Sequence, residues 1–60
     1  MKVIATNGIL NIVDIIYDIN DSIVLDNGQT RDIEYDDENN PYFVYHQEKY
    51  YLNEFIKINN

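Results

Sequence analysis

Turn signals divide this chain into short runs of β-branched residues, and that division limits the possible folds more than any other feature. "NG" stands at 7–8, "ND" at 20–21 and "DNG" at 26–28, while Pro41 closes the polar segment "DDENN". Asn-Gly pairs are typical of tight hairpins, and β-branched side chains favour strands over helices. The sequence therefore predicts a mainly β fold in which short strands follow one another in a meander.

Most runs resemble strands because of their alternation and their flanking turns. The strand-like runs, besides the one at 9–19, are 2–6, 22–25, 29–35, 41–47, 49–52 and 56–58. In 29–35 the apolar Ile33 and Tyr35 lie on one face and the acids on the other, as in a half-buried strand. The segment 36–40 between two of these runs is predicted to be an exposed polar loop.

The segment "ILNIVDIIYDI" at 9–19 is ambiguous between a strand and a helix. Its polar residues Asn11, Asp14 and Asp18 recur at helical spacing, which would leave an apolar helix face. Most of its apolar residues are β-branched, however, and turn signals flank it on both sides. We predict a strand, and a strand of this length in so small a protein is expected to bend or to contain a β-bulge.

The C-terminal segment also allows two interpretations. "LNEF" at 52–55 resembles one 3₁₀ or α-helical turn, followed by "IKI" as a last strand with Ile56 and Ile58 facing inward and Lys57 outward. Alternatively, "YYLNEFIKI" forms one terminal helix with its apolar residues on one side. We predict the turn and the strand.

Five to six short strands joined by tight turns predict a single domain over residues 1–60. The expected fold is mainly β, a small curled antiparallel sheet or an SH3-like barrel with one short helical turn near the C-terminus. Closure removes exposed strand edges and creates one core, and a helical turn before a final short strand fits that architecture. If the terminal segment is a full helix, the fold becomes α+β, with that helix on a sheet.

The length of the chain restricts how it can be stabilised. A domain of 60 residues buries only about 60% of the surface that its unfolded form exposes, so it usually needs a cross-link, a metal or a partner subunit. Cysteine is absent, which excludes disulfides and thiolate metal sites. We expect the core to draw on the 45% of residues that are hydrophobic, with a homodimer as a further source of stability.

Negative charge is concentrated in the middle of the chain. The formal net charge is −7, and nine of the eleven acids lie between 14 and 38, where Arg31 is the lone cation. Such a field opposes direct nucleic-acid binding and contact with anionic membranes, and it favours a partner with a basic surface. The sequence has no apolar stretch of membrane-helix length and no signal-peptide pattern, so a cytoplasmic location is expected.

Patterns for catalysis and for metal binding are weak. Ser22 and the single histidine, His46, lack the neighbouring base and orienting group that a nucleophile needs, so we expect no enzyme. The two glycines form no phosphate-binding loop. "DDENN" offers oxygen ligands without the spacing of a calcium loop, so we expect neither a metal nor a cofactor.

Two groups of residues are candidates for a partner-binding surface. Alternation predicts that Asp32, Glu34 and Asp36 share one strand face at steps of about 7 Å, near the spacing of phosphates along DNA. Tyrosine is enriched at interfaces, and both faces of the strand-like run at 41–47 cannot be core in so thin a domain. The candidate partner-binding residues are Asp32, Glu34, Asp36, Asp37, Glu38, Tyr42 and Tyr45.

Part of the chain resembles a known group of proteins. "KYYLNEF" followed by "IKI", together with the earlier "VLDNG", is similar to small uncharacterised proteins of phages and prophages of Gram-positive bacteria. The resemblance covers mainly residues 23–28 and 42–58, concerns a packing pattern and carries no functional residues. It implies a phage or prophage accessory or regulatory protein, and the acidity would suit one that blocks a host factor.

These observations favour a small acidic, non-catalytic protein-interaction module that binds a host or phage protein. The alternative is a DNA mimic that inhibits a host DNA-binding enzyme by occupying its basic groove. The two interpretations differ in the residues that would make contact, which are tyrosines in the first and carboxylates in the second.

Overall fold

The computed structural model describes residues 2–58, and this part of the chain is mainly β, as predicted. It contains eight short strands and one 3₁₀ turn. The strands are β1 (Ala5–Thr6), β2 (Asn11–Ile16), β3 (Ser22–Leu25), β4 (Thr30–Asp32), β5 (Glu34–Tyr35), β6 (Pro41–Tyr45), β7 (Glu48–Tyr51) and β8 (Ile56–Lys57), and the 3₁₀ turn is Leu52–Glu54. No helix among these residues is long and apolar enough to cross a membrane.

The strands form two antiparallel sheets. One has five strands in the order β4-β3-β2-β1-β8, and the other has three in the order β5-β6-β7. The antiparallel architecture is confirmed, but the closed SH3-like barrel is wrong for the residues described, because β7 and β8 each end a sheet and do not pair with each other. Closure would require a ladder of hydrogen bonds between these edges.

Strand β2 lies in the segment whose sequence allowed either a strand or a helix. Its register with β3 shifts between the pairs Ile12↔Leu25 and Asp14↔Val24, so the predicted strand contains a β-bulge. The bulge interrupts the two-residue alternation, and as a result Ile12 and Ile15, three positions apart, both pack in the core. The helix-like spacing in the sequence therefore reflects a bulged strand.

The predicted strand over 29–35 is two strands in different sheets. Strand β4 ends at Asp32 and β5 begins at Glu34, with Ile33 between them. The amide N–H of Ile33 donates to the carbonyl of Asp21 at 2.8 Å, and its side chain packs against the core. At Ile33 the chain therefore passes from the five-stranded sheet to the three-stranded sheet.

A two-residue turn closes the β6–β7 hairpin. Strand β6 ends at Tyr45 rather than at 47, and His46 and Gln47 have φ angles of 49° and 68°. Positive φ at both central residues is the type I′ pattern, whose twist matches that of the flanking strands. His46 and Gln47 are therefore turn residues, although the sequence assigned both to the strand-like run at 41–47.

The C-terminal segment forms the 3₁₀ turn and a final strand, so the alternative of one terminal helix is wrong. Strand β8 pairs with β1 at the end of the five-stranded sheet. Ile56 is 73% exposed and Ile58 is 39% exposed, so the predicted inward orientation of both is wrong. Phe55 is buried at the end of the 3₁₀ turn. Alternation from Phe55 turns Ile56 outward and places Lys57 on the side of Ala5, its strand partner, which packs against the core.

A small cluster of side chains joins the two sheets. Its buried members are Ile12, Ile23, Leu25, Phe43 and Phe55. Phe43 in β6 is fully buried, and its ring centroid lies 5.6 Å from that of Tyr50 and 5.7 Å from that of Phe55. The three aliphatic members belong to β2 and β3, so Phe43 is the buried side chain that the three-stranded sheet contributes.

We expect Phe43→Ala to lower the free energy of unfolding by about 3–5 kcal/mol, because it removes the largest fully buried side chain and leaves a cavity. A core this small supplies no more than about 5 kcal/mol, so the variant should be largely unfolded in far-UV circular dichroism and urea titrations. The control is Val44→Ala, next to it on the exposed face, which should cost about 1 kcal/mol or less. Equal stability of the two variants would contradict the role given to Phe43.

Replacing His46 by Asn and Gln47 by Gly should stabilise the protein by about 1 kcal/mol, since Asn-Gly is the preferred pair for a type I′ turn. Urea unfolding at neutral pH measures the change. The control with the opposite expected result is Gly28→Ala, which should lower the stability. The φ angle of Gly28 is 87° and no atom lies within 4 Å of the added Cβ, so the substitution introduces backbone strain and no steric clash. A lower unfolding midpoint for the Asn-Gly variant would show that this turn is wrongly assigned.

Candidate functional site

The three-stranded sheet has one face toward the core and one toward solvent. Phe43 is buried in the core, so its neighbours along β6, Tyr42 and Val44, lie on the outer face. Residues that pair with these two across the sheet lie on the same face. We call this surface the tyrosine face, and its residues are Glu34, Tyr42, Val44, Lys49 and Tyr51.

Aromatic contacts hold the centre of the tyrosine face together. The ring centroids of Tyr42 and Tyr51 are 5.5 Å apart with an interplanar angle of 47°. The Nζ atom of Lys49 lies 4.8 Å from the ring centroid of Tyr42, within the range of a cation–π interaction. Val44 is 38% exposed. The face therefore combines an aromatic and aliphatic centre with one lysine and one glutamate.

The acidic loop, residues 36–40, is organised by the side chain of Asp36. Its carboxylate accepts hydrogen bonds from the N–H groups of Glu38 at 2.9 Å and Asn40 at 2.8 Å, and from the hydroxyl of Tyr51 at 3.2 Å. Asn39 has a φ angle of 66°, and its N–H donates to the carbonyl of Asp36 at 2.9 Å. Asp36 is therefore a structural residue that ties the acidic loop to the tyrosine face.

These hydrogen bonds shift the pKa values of both partners. The backbone N–H of Asn40 is the largest cause that holds the pKa of Asp36 below its ordinary value of 3.8. Desolvation, and then the hydrogen bond to Asp36, raises the pKa of Tyr51 above its ordinary value of 10.0. At neutral pH the contact therefore joins a charged carboxylate to a neutral phenol.

The predicted row of Asp32, Glu34 and Asp36 does not lie on one strand. Asp32 ends β4 in the five-stranded sheet, where its carboxylate accepts a hydrogen bond from the hydroxyl of Ser22 at 3.1 Å. Glu34 begins β5 in the other sheet, and Asp36 follows that strand in the loop. The change of sheet at Ile33 is the reason, because a two-residue step implies a shared face only within one continuous strand.

Tyr45 lies on the inner side of β6, away from Tyr42. Its ring packs against the core, and the guanidinium carbon of Arg31 lies 5.0 Å from the ring centroid. The ring also stacks on His46 at a centroid distance of 4.1 Å, and its hydroxyl accepts a hydrogen bond from the side chain of Asn27 at 3.1 Å. Tyr45 therefore supports the packing of the two sheets rather than the tyrosine face.

The candidate residues fall into two groups. Glu34, Asp36, Asp37, Glu38 and Tyr42 lie on the tyrosine face or in the acidic loop beside it, whereas Asp32 and Tyr45 lie elsewhere. The candidate residues did not include Tyr51 and Lys49, which belong to the same face. A signal for both was present, because a two-residue turn at 46–47 necessarily pairs Tyr42 with Tyr51 and Val44 with Lys49.

Further observations restrict the chemistry of the chain. Two shallow cavities, of about 280 and 200 Å³, are smaller than the roughly 300–1,000 Å³ of typical small-molecule sites. Among residues 2–58, no three His, Asp or Glu side chains are grouped so that they could hold a metal ion. No protein-family model, curated protein sequence or solved structure matches the chain. A functional proposal therefore depends on the surface chemistry described above.

Asp36→Asn should destabilise the protein at pH 7, and the difference from the wild type should disappear in acid. Because the pKa of Asp36 is lower in the folded chain than its ordinary value of 3.8, its carboxylate stabilises the fold above that value. This stabilisation is lost as the pH falls through the lowered pKa. Urea midpoints of Asp36→Asn and the wild type, measured from neutral pH to below 3.8, should therefore converge. The control Asp37→Asn keeps the hydrogen bonds that Asp36 accepts and should have the wild-type midpoint at pH 7. A constant difference across this range would contradict the role given to Asp36.

Proposed function

We propose that this chain is a small, acidic, non-catalytic protein-interaction module that binds its partner through the tyrosine face. The observation that best supports this is the pair of half-buried rings of Tyr42 and Tyr51 on a sheet whose other face already fills the core. Tyrosine outside a core combines apolar area with a hydroxyl that remains able to form hydrogen bonds. Such side chains are enriched in protein–protein interfaces.

The charges around the tyrosine face favour a basic partner. Glu34 is exposed on the face, and Asp37 and Glu38 are exposed in the adjoining acidic loop. A partner that places lysines or arginines around an apolar patch would complement this arrangement and would be attracted over a distance set by ionic strength. The acidic residues would thus direct association, while the tyrosines supply the buried contact area.

The proposed setting is that of a phage or prophage accessory protein acting in the bacterial cytoplasm. It is supported by the resemblance of 23–28 and 42–58 to small phage and prophage proteins and by the net charge of −7. The partner would be a host or phage protein. A homodimer through the tyrosine face is the alternative use of the same surface.

A second candidate function is inhibition of a DNA-binding enzyme by mimicry of DNA. The observation that favours it is the exposure of Asp32 and Glu34 on either side of Ile33, where the chain passes between the sheets. Asp37 and Glu38 extend this negative surface into the acidic loop. Mimicry would then require that carboxylates on two different sheets reproduce the spacing of DNA phosphates, because the predicted row of carboxylates along one strand is not formed.

Substitutions on the tyrosine face and charge reversals distinguish the two functions. Proteins retained from lysate of the native host are identified, and each complex is reconstituted from purified proteins. For an interaction module, Tyr42→Ala or Val44→Ser should raise Kd at least about tenfold, or about 1.4 kcal/mol, and salt should weaken the complex less than it would weaken a DNA mimic's complex. For mimicry, Asp32→Lys, which lies on the other sheet and outside the tyrosine face, should weaken binding at least about tenfold, and salt should weaken the wild-type complex steeply.

The matched control is Ile56→Ser, which changes a residue that is 73% exposed on the other sheet. Asp36→Lys is unsuitable as a test of charge, because it would also break the hydrogen bonds of the acidic loop. Light scattering at low and high salt detects a dimer, and dissociation of that dimer by Tyr42→Ala would identify a second copy as the partner. If neither set of variants changes Kd, both functions are contradicted.

A further inference from the structure

The connection between β2 and β3 exposes a cluster of apolar side chains. We call residues 16–21 the hairpin tip. Within it, Ile16 is 43% exposed, Tyr17 is 77% exposed and Ile19 is 96% exposed. Single exposed apolar residues are normal on protein surfaces, but three within four consecutive positions concentrate exposed apolar area at one end of the β2–β3 hairpin, and such a concentration is typical of interaction sites.

Strand pairing determines which side chains near the hairpin tip face outward. Ile15 pairs with the fully buried Ile23, so Ile15 faces the core and Ile16, the next residue, faces away from it. Ile16 pairs with Ser22, and Ser22 pairs with Asp32. These three residues form one row across the outer face of the five-stranded sheet, separate from the tyrosine face on the other sheet.

Carboxylates border this apolar patch. Asp14 precedes Ile16 by two residues on the outer face, and Asp32 lies two strand spacings, about 10 Å, from Ile16. Asp18 lies within the hairpin tip, where its carboxylate accepts a hydrogen bond from the N–H of Ile19 at 2.8 Å. We call Asp14, Asp18 and Asp32 the acidic border.

The sequence places no cation near the hairpin tip to neutralise the acidic border. No lysine or arginine occurs between Lys2 and Arg31. Arg31 pairs with Ile23, which places it on the opposite side of β4 from Asp32, and its guanidinium carbon lies 5.0 Å from the ring centroid of Tyr45. The hairpin tip is therefore an apolar projection in a part of the chain, residues 3–30, whose formally charged side chains are all acidic.

We propose that the hairpin tip packs against an apolar surface of a partner protein, such as one face of an amphipathic helix, whose border carries lysine or arginine. The exposed apolar side chains would be covered by that surface, and cations at its edge would be attracted to the acidic border. A second copy of the chain fits poorly, because a symmetric interface would bring identical carboxylates together. An anionic membrane surface fits poorly because it repels the same carboxylates.

This inference adds a second contact surface to the proposed interaction module. The hairpin tip belongs to the five-stranded sheet and the tyrosine face to the three-stranded sheet. The two surfaces can therefore be altered independently. A result that contradicts the proposal for one surface therefore leaves the proposal for the other surface unaffected.

The probe is an amphipathic helical peptide of leucine and lysine, which presents an apolar stripe bordered by cations. It is titrated into the uniformly ¹⁵N-labelled chain and followed by amide chemical shifts. We expect the largest changes at 14–22 and at Asp32, and an affinity about tenfold weaker for Tyr17→Ser with Ile19→Ser. The matched control is Ile9→Ser, in the β1–β2 turn, where the isoleucine is 78% exposed. This control and Tyr42→Ala should bind the peptide like the wild type.

Two companion peptides separate charge from apolar contact. A serine and lysine peptide of the same charge should bind at least about tenfold more weakly, and a leucine and glutamate peptide should not bind. The proposal would be overturned if the serine and lysine peptide bound as tightly as the leucine and lysine peptide. It would also be overturned if the chemical shift changes were spread over all the acidic residues of the chain. Since Ile9, Tyr17 and Ile19 are exposed, their variants should keep the wild-type Tm.

Two other occupants of the hairpin tip are tested directly. Sedimentation with vesicles of neutral phosphatidylcholine that depends on Tyr17 and Ile19 would assign the tip to a membrane surface. A dimer in light scattering that the double variant dissociates would assign it to a second copy. Either result would overturn the choice of a basic protein partner.

Discussion

Phe43 links two sheets that share no hydrogen-bonded ladder, and the rest of the structure depends on that contact. The described part of the chain has only five buried hydrophobic side chains, of which Phe43 is the one contributed by the three-stranded sheet. With so small a core, each sheet can cover only one of its faces. The opposite faces remain in solvent, and the functional proposals concern these outer faces.

The two exposed surfaces differ in character. On the tyrosine face, paired rings are held by contacts within the sheet, and the acidic loop is attached to it by the hydrogen bond from Tyr51 to Asp36. At the hairpin tip, Ile19 is almost wholly exposed in a stretch of the chain, residues 3–30, that contains carboxylates but no lysine or arginine. Both combine apolar area with negative charge, and for both the complementary surface is apolar with a basic border.

Local patterns in the sequence accounted for much of the fold. The predicted run at 22–25 coincides with β3, the long run at 9–19 contains a bulged strand, and "LNEF" contains a 3₁₀ turn. These features depend on turn residues and β-branching, which act over a few neighbouring positions. The predictions that failed required knowledge of distant neighbours: the break at Ile33, the orientation of Ile56 and the closure of a barrel.

Composition and short-range patterns were sufficient to establish a mainly β chain with strong negative charge and a cluster of tyrosines. They could not establish which residues share a surface, because that depends on register and on the sheet to which each strand belongs. Only the folded chain separates Asp32 from Glu34 and turns Tyr45 inward while Tyr42 joins Tyr51. The physical reason is that when one residue leaves a hydrogen-bonded ladder, every later side chain changes to the other face of its strand. Packing against distant strands decides at which residue the ladder is left.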